Sequence, residues 1–209
     1  MAWDEALLGF APRLGQPVLR LYGWSEPAAT FGYFQRIADV ECLTALRPLL
    51  RRPTGGGLVP HDGDWTYSLA FPPAHPWYEL KAIESYRRVH EWIGAAFARS
   101  GLVTELSPGR RQNSSGQCFI GAEQFDLLWQ HRKIAGAAQR RSRDGLLIQG
   151  SIQPPIGLDR VEFEKAFCDW AQAEWGVKWQ PLAVDAALLE RVRELTREKY
   201  ARREYNERR

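Results

Sequence analysis

Apolar positions along the chain recur with two periods, and the changes between them mark out most of the elements. From Met1 to Leu14, Trp3, Ala6, Leu7 and Phe10 stand three or four apart and Gly15 follows, the spacing of a short amphipathic helix and its stop. Two β-like runs, Val18 to Trp24 and Ala28 to Phe34, flank the turn-forming Ser25-Glu26-Pro27. A helix is expected from about Val40 to Leu46. A strand is expected from Trp65 to Phe71, ended by Pro72-Pro73 because proline lacks the N–H a ladder needs, and a loop then runs to about Tyr78. Over Glu79 to Arg99 the residues Ile83, Tyr86, Val89, Ile93, Ala96 and Phe97 predict a helix of about five turns, closed by Gly101.

The middle of the chain returns to strands: Val103 to Leu106, Cys118 to Ile120, Phe125 to Trp129, Lys133 to Gln139 and Leu146 to Ile152, with a polar Gly/Ser loop from Pro108 to Gly116. Gln130-His131-Arg132 reads as a tight hairpin connection. Helices over about Asp159 to Trp175 and Ala183 to Tyr200 follow. Strands lie mostly together instead of alternating with helices, so the expected class is α+β and not a doubly wound sheet. No internal repeat or dividing linker is visible. A chain of 209 residues, 44% hydrophobic and 12% aromatic, is expected to form a single domain over residues 1–209.

Composition narrows the setting. Cys42, Cys118 and Cys168 have neither zinc-site spacing nor the even count of a disulfide framework, which points to a reducing cytoplasm. Cys42 and Cys168 fall in helical patterns and read as core thiols. No apolar run approaches a membrane span, and no signal peptide opens the chain. The net charge of +3 is spread among interleaved acids and bases and is weak evidence for nucleic acid. One concentration differs: Arg132, Lys133, Arg140, Arg141 and Arg143 face only Asp144. It reads either as a solvated hairpin edge guarded against aggregation or as a docking surface for an anionic partner.

The candidate chemistry sits in two places. In Arg51-Arg52-Pro53-Thr54-Gly55-Gly56-Gly57-Leu58-Val59-Pro60-His61-Asp62, successive glycines allow close backbone approach and expose N–H groups that can bind a carbonyl, carboxylate or phosphate oxygen. It is neither a Walker loop nor GxGxxG, and by itself such a run is more often a hairpin or bulge. His61 reads as a structural histidine paired with Asp62 or Asp64, or as the residue that orders the glycine loop. Lys133, taken alone, is an ordinary hairpin charge.

These segments resemble the biotinyl/lipoyl protein ligase family, in its lipoate–protein ligase A and ligase-like octanoyltransferase branch. Arg51 to Asp62 followed by Thr66-Tyr67-Ser68 is similar to the family's Arg-Arg-x-Ser/Thr-Gly-Gly-x-x-Val-x-His-Asp signature and next strand. Lys133-Ile-Ala-Gly-Ala-Ala-Gln139, just after Asp126-Leu127, is similar to its Lys-hydrophobic-x-Gly-Ser/Ala-Ala-Gln segment. The Met1-Ala-Trp-Asp-Glu-Ala-Leu7 opening, Leu19 to Trp24, Phe31 to Gln35, Gln149-Gly150-Ser151, and Lys199-Tyr200 with Glu204-Tyr205-Asn206 extend the likeness over nearly the whole chain.

The resemblance implies mixed, largely antiparallel sheets with flanking helices, a class II aminoacyl-tRNA-synthetase/biotin-ligase-like catalytic domain, here without a C-terminal accessory domain. It implies an acyl tunnel between the glycine loop and the lysine hairpin, with Arg52, Thr54, Gly55, Gly56, Gly57, His61, Gly136, Ala137 and Gln149 binding acyl substrate and Lys133 catalytic. Cys118, fifteen residues before Lys133, stands in a Ser-rich Cys-Phe segment like that of the octanoyltransferases. It implies octanoyl transfer from acyl carrier protein through a cysteine thioester to a lysine of lipoyl-domain proteins or glycine-cleavage H protein, with no metal or cofactor and with Arg140, Arg141 and Arg143 as the docking patch. The alternative within the family is an ATP- and magnesium-dependent lipoate–protein ligase. A non-catalytic module binding lipoyl proteins or nucleic acid is a third reading. Two departures from the pattern are Gln149 where the family often has histidine, and the lack of a first strand ahead of the opening helix.

Overall fold

The computed structural model describes residues 1–109 and 121–208. Helix α1 (Ala2–Leu14) leads to β1 (Val18–Tyr22), β2 (Ala28–Phe31), α2 (Ile37–Val40), β3 (Leu49–Arg51), β4 (Val59–His61) and β5 (Trp65–Phe71). The short α3 (Pro76–Glu79) and long α4 (Ala82–Arg99) precede β6 (Glu105–Leu106), β7 (Leu127–Trp129), β8 (Arg132–Ser142) and β9 (Gly145–Ile152). Then come α5 (Arg160–Trp175), α6 (Ala186–Leu195), a π-helical turn over Thr196–Tyr200, and α7 (Arg203–Glu207).

The frame is a six-stranded antiparallel sheet in the order β1-β5-β9-β8-β7-β6. A second sheet, β3-β2-β4, has one parallel and one antiparallel pairing. The chain is therefore α+β, as its strand clustering predicts, with the mixed, largely antiparallel sheets that the resemblance implies.

Register sorts the large sheet into two chemically different faces. Leu19, Leu69 and Ile148 line up across β1, β5 and β9, with Tyr67 in the adjacent row, and join Val89, Ile93, Phe97, Phe163 and Phe167 of α4 and α5 in the main core. The alternate positions carry polar side chains. Tyr22, Thr66, Ser151 and Gly136 form one cross-strand row, and Arg20, Ser68, Gln149 and Ala138 form the next. Because successive residues of a strand face opposite ways, the polar set all points away from α4. Gly150 sits where a Cβ would lie 2.2 Å from Cζ of Tyr67, so only glycine lets that ring lie over the sheet.

Helix ends follow local chemistry. Asp159 and Asp185 accept from the N–H groups of Glu162 and Leu188 at 2.8 Å each, capping α5 and α6. Gly15 and Gly176 close α1 and α5 in the left-handed conformation.

Several expectations are corrected. The helix expected over Val40 to Leu46 is replaced by the single turn of α2, which ends at Val40. Cys42 lies exposed in the following turn instead of in the core, and Cys168 is half-buried, its thiol pushed up by burial. The long helix starts at Ala82 instead of Glu79, because Leu80 and Lys81 are extended after α3. The helix expected from Ala183 begins at Ala186 as α6, and its last turn widens into the π form. The strand expected at Cys118 to Ile120 lies outside the described residues, as does most of the polar loop before it.

Candidate active site

The glycine segment is held by the two arginines that precede it. Arg51 and Arg52 sit at the end of β3 and just beyond it, and alternation sends them to opposite sides. Arg51, 1% exposed, donates five hydrogen bonds to backbone carbonyls: Tyr33 and Gln35 on one side, and Tyr205, Asn206 and Arg208 on the other. Arg52 donates through Nη2 to the carbonyls of Gly55 and Gly57 at 3.0 and 2.7 Å, and through Nη1 to Thr30 Oγ1 at 2.8 Å. The planar, multi-donor guanidinium fixes two carbonyls of the loop at once, which an ammonium could not do in the same geometry.

Behind Arg52 lies a buried chain of hydrogen bonds with a fixed direction. Asp64 Oδ2 accepts from Ser151 Oγ at 2.6 Å and Thr66 Oγ1 at 3.0 Å, and His61 Nδ1 stands 2.9 Å away. Burial pulls the His61 pKa down, and Arg52 adds to this; the nearby Asp64 opposes both without cancelling them. The imidazole is therefore neutral, with Nδ1–H given to the carboxylate and Nε2 left to accept from Thr30 Oγ1 at 2.7 Å. Thr30 in turn accepts from Arg52. The carboxylate thus sets the histidine tautomer, and the chain ends on the glycine carbonyls. Trp24 stacks on His61 with centroids 4.2 Å apart and donates to Thr66 Oγ1 at 2.9 Å, closing the cluster.

Lys133 reaches the polar face through an irregularity in β8. Trp129 opposes Arg132 and Leu128 opposes Lys133, but Leu127 opposes Ala135, so Ile134 is one residue too many for its partner strand. Strict alternation from Ala135, which is in the main core, would put Lys133 beneath α4. The bulge turns it to the other face. There Nζ lies 2.7 Å from Asp126 Oδ2, with the two side chains only 6% and 7% exposed. Asp126 also accepts the Glu123 N–H at 2.7 Å. Burial raises the Asp126 pKa, and Lys133 and that N–H offset it only in part. The lysine head occupies the space above Gly136: a Cβ there would stand 2.6 Å from Lys133 Cε and 2.8 Å from Nζ.

Between the two sheets is a mainly apolar cavity, narrow at about 50 Å³. Arg52, His61, Lys133, Gly136, Ala137 and Gln149, separate in sequence, all line it, along with Tyr22, Thr30, Val59, Thr66, Ala138 and Ser151. Thr54 adjoins it by donating to Gln149 Oε1 at 2.8 Å. Gly55, Gly56 and Gly57 do not line the wall; they lie in the loop between Arg52 and Val59, which do. Arg140, Arg141 and Arg143 stand at the far end of β8 from Lys133. Arg140 lies over Tyr33 and 3.4 Å from the Pro53 carbonyl, Arg141 donates to the Leu80 carbonyl, and Arg143 is exposed. Cys118 lies outside the described residues. In the sequence Asp64 stands out only as a partner for His61. Asp4, Tyr22, Thr66, Asp126 and Ser151 enter the sequence pattern only as parts of motifs with no role of their own, and Thr30 is missed altogether. The polar alternation on β1, β5 and β9 was the signal for most of these.

Comparison with known proteins agrees with this architecture. An octanoyltransferase (LipM) of Staphylococcus aureus is 35% identical over 175 residues, covering 77% of this chain and 63% of its own length, so the chain spans less than two thirds of that relative. An octanoyltransferase of Halalkalibacterium halodurans is 28% identical, with 99% of this chain and 93% of that protein covered. Among solved structures, protein Ta0514 of T. acidophilum with bound lipoic acid shares the fold, with a TM-score of 0.77, 20% identity, and 98% of this chain and 91% of that one covered. The family model for the lipoyl protein ligase A/B catalytic domain matches residues 1–174, and the chain belongs to that family.

Proposed function

We infer that this chain is an octanoyl-[acyl-carrier-protein]:protein N-octanoyltransferase. The supporting observation is the cavity whose wall runs from the buried Lys133 head along the small residues Gly136, Ala137 and Ala138, a narrow apolar lodging with the cations Lys133 and Arg52 in its wall. The octanoyltransferase relatives support the same reading. In the proposed reaction the Cys118 thiolate attacks the thioester carbonyl of octanoyl acyl carrier protein, and the carrier's thiol leaves. The ε-amine of a lysine on a lipoyl domain or glycine-cleavage H protein then attacks the octanoyl-cysteine. An amide forms and the Cys118 thiol is regenerated. Exchange between thioesters is nearly balanced, whereas amide formation runs downhill and makes transfer effectively one-way.

Lys133 is assigned to the first step, to favour the thiolate of Cys118, and the backbone around Gly136 and Ala137, in the cavity wall, with the loop Gly55 to Gly57 beside it, is the candidate holder of the carbonyl and its developing negative charge. This scheme needs no metal or cofactor and places the reaction in the cytoplasm. Arg140, Arg141 and Arg143 are assigned to attract acidic carrier protein, so transfer should slow as salt rises, and equal rates at low and high salt would count against that role.

The test is incubation with octanoyl acyl carrier protein without ATP, followed by intact-mass measurement of wild type and Cys118→Ala. An octanoyl adduct on wild type alone supports the transferase. Product formation that requires ATP and magnesium and survives Cys118→Ala would replace it with a lipoate–protein ligase.

A further inference from the structure

The proposed reaction makes no use of Asp4, yet this carboxylate is the most fully enclosed charge next to the cavity, 0% exposed in the first turn of α1. Both its oxygens are occupied. Oδ1 accepts from Arg20 at 2.9 Å and Ser68 at 2.8 Å; Oδ2 accepts from the Tyr22 hydroxyl at 3.0 Å and from Gln149 Nε2 at 2.6 Å. Burial works against its charge, but the amino group of Met1, Arg20, and the hydrogen bonds from Ser68 and Gln149 outweigh it, so the group stays ionised. An ionised carboxylate can only accept hydrogen bonds.

That constraint passes outward. The Gln149 amide is nearly symmetric in shape, but with Asp4 on one side its NH2 must face the carboxylate and its Oε1 must face away. Oε1 then accepts the Thr54 hydroxyl at 2.8 Å. The backbone carbonyl of Thr54 accepts from the Tyr33 N–H at 2.8 Å, and the next residue is Gly55. Helix α1, strand β9 and the glycine loop are thus joined by one line of donors and acceptors with a single allowed polarity.

We propose that Asp4 is a positioning residue for the acyl site: through Gln149 and Thr54 it fixes the glycine loop whose two ends, Arg52 and Val59, form part of the cavity wall. The kinetic consequence rests on the octanoyl-transfer reading; the effect on the loop does not. With asparagine at this position the neighbour offers either a donor or an acceptor, Gln149 gains a second orientation, and Thr54 is no longer held in one role.

The experiment compares full-length wild type, Asp4→Asn, Thr54→Val and the double variant, with Ser68→Ala as control, since that change removes a bond to the other carboxylate oxygen. Backbone hydrogen exchange at Gly55 to Gly57 is measured beside octanoyl-transfer kinetics. Asp4→Asn and Thr54→Val each raise exchange at those glycines about tenfold, the double variant raises it no further, and Ser68→Ala leaves it at the wild-type value. In the two single variants kcat falls in parallel. Additive effects in the double variant, or an equal rise in Ser68→Ala, would overturn the relay. If Asp4→Asn does not fold, Gln149→Leu takes its place and must reproduce the Thr54→Val exchange pattern; failure to do so overturns it equally. If wild type transfers no octanoate, the kinetic comparison falls with the functional reading, and exchange still decides the relay.

Discussion

Replacing Gly136 with alanine separates the position of Lys133 from the stability of the fold. The added methyl would stand 2.6 Å from Lys133 Cε, 2.8 Å from Nζ and 3.2 Å from Asp126 Oδ1. Carbon contacts relax only near ~3.5–4.0 Å, so the lysine head must retreat by about 1 Å. The clash is with the end of a flexible side chain and not with backbone, so β8 and β9 keep their pairing. What stretches is the ion pair, 2.7 Å long and nearly excluded from solvent. Complete separation of such a pair costs about 3–5 kcal/mol, and a displacement of this size should cost about 1–2 kcal/mol. In a domain of this length that lowers Tm by about 2–8 °C. A reacting group moved by about 1 Å can lose about a hundredfold in rate, equivalent to about 2.7 kcal/mol of barrier. The expected result for Gly136→Ala is therefore a folded protein with a modest loss of Tm and, on the proposed octanoyl-transfer reading, a hundredfold lower kcat/KM. Wild-type kcat/KM in a folded variant would refute the argument that the space over Gly136 is reserved for the working position of Lys133.

Two further outcomes follow from buried groups outside the cavity. Burial pulls the pKa of His90 down to about 4; its hydrogen bond to the Phe125 carbonyl opposes this, and Lys133 adds to it. Because the folded value lies below the unfolded one, the unfolded chain takes the proton first. This contribution is fully present above pH ~6.5 and is lost as pH falls toward 4, amounting to about 3 kcal/mol. Urea unfolding across that window should show a steeper loss in wild type than in His90→Gln, and parallel curves would contradict it. Arg51→Lys leaves an ammonium with three donors to serve five carbonyls, and should destabilise the chain by about 2–4 kcal/mol, read from the urea midpoint. An unchanged midpoint would mean that the bonds to Tyr205, Asn206 and Arg208 contribute nothing net.

Much of the fold was legible because long elements repeat their signal: Trp65–Phe71 is bounded where its prolines say, and α4 ends where Gly101 predicts. The three-residue strands β3 and β4 were not, since so short a run has no measurable period and is defined only by pairing with β2. Of the site, the glycine loop and Lys133 were visible as motifs, and the cavity brings most of those residues together. Asp4 was noted only as part of the opening motif, because an acid in the first turn of a helix ordinarily reads as a favourable interaction with the helix dipole. Its burial becomes apparent only when β5 and β9 are placed beside it. Asp126 was hidden likewise, because its role depends on a bulge that shifts one strand against another.

That bulge means that the pairing of β8 before Ala135, and not only its composition, carries chemical information. Were β8 to alternate strictly through Ile134, the hydrophobic pattern from Ala135 onward and nearly every strand pairing would survive, yet the lysine would turn into the apolar layer under α4; loss of the bulge together with Ile134 would keep it on the polar face. In aligning relatives of this chain, a one-residue gap just after the lysine is therefore compatible with the same lysine on the same face, provided the bulge goes with it. The bulge and the extra residue offset one another, and two sequences that differ only there would share a fold and hold the charge on the same side of the sheet.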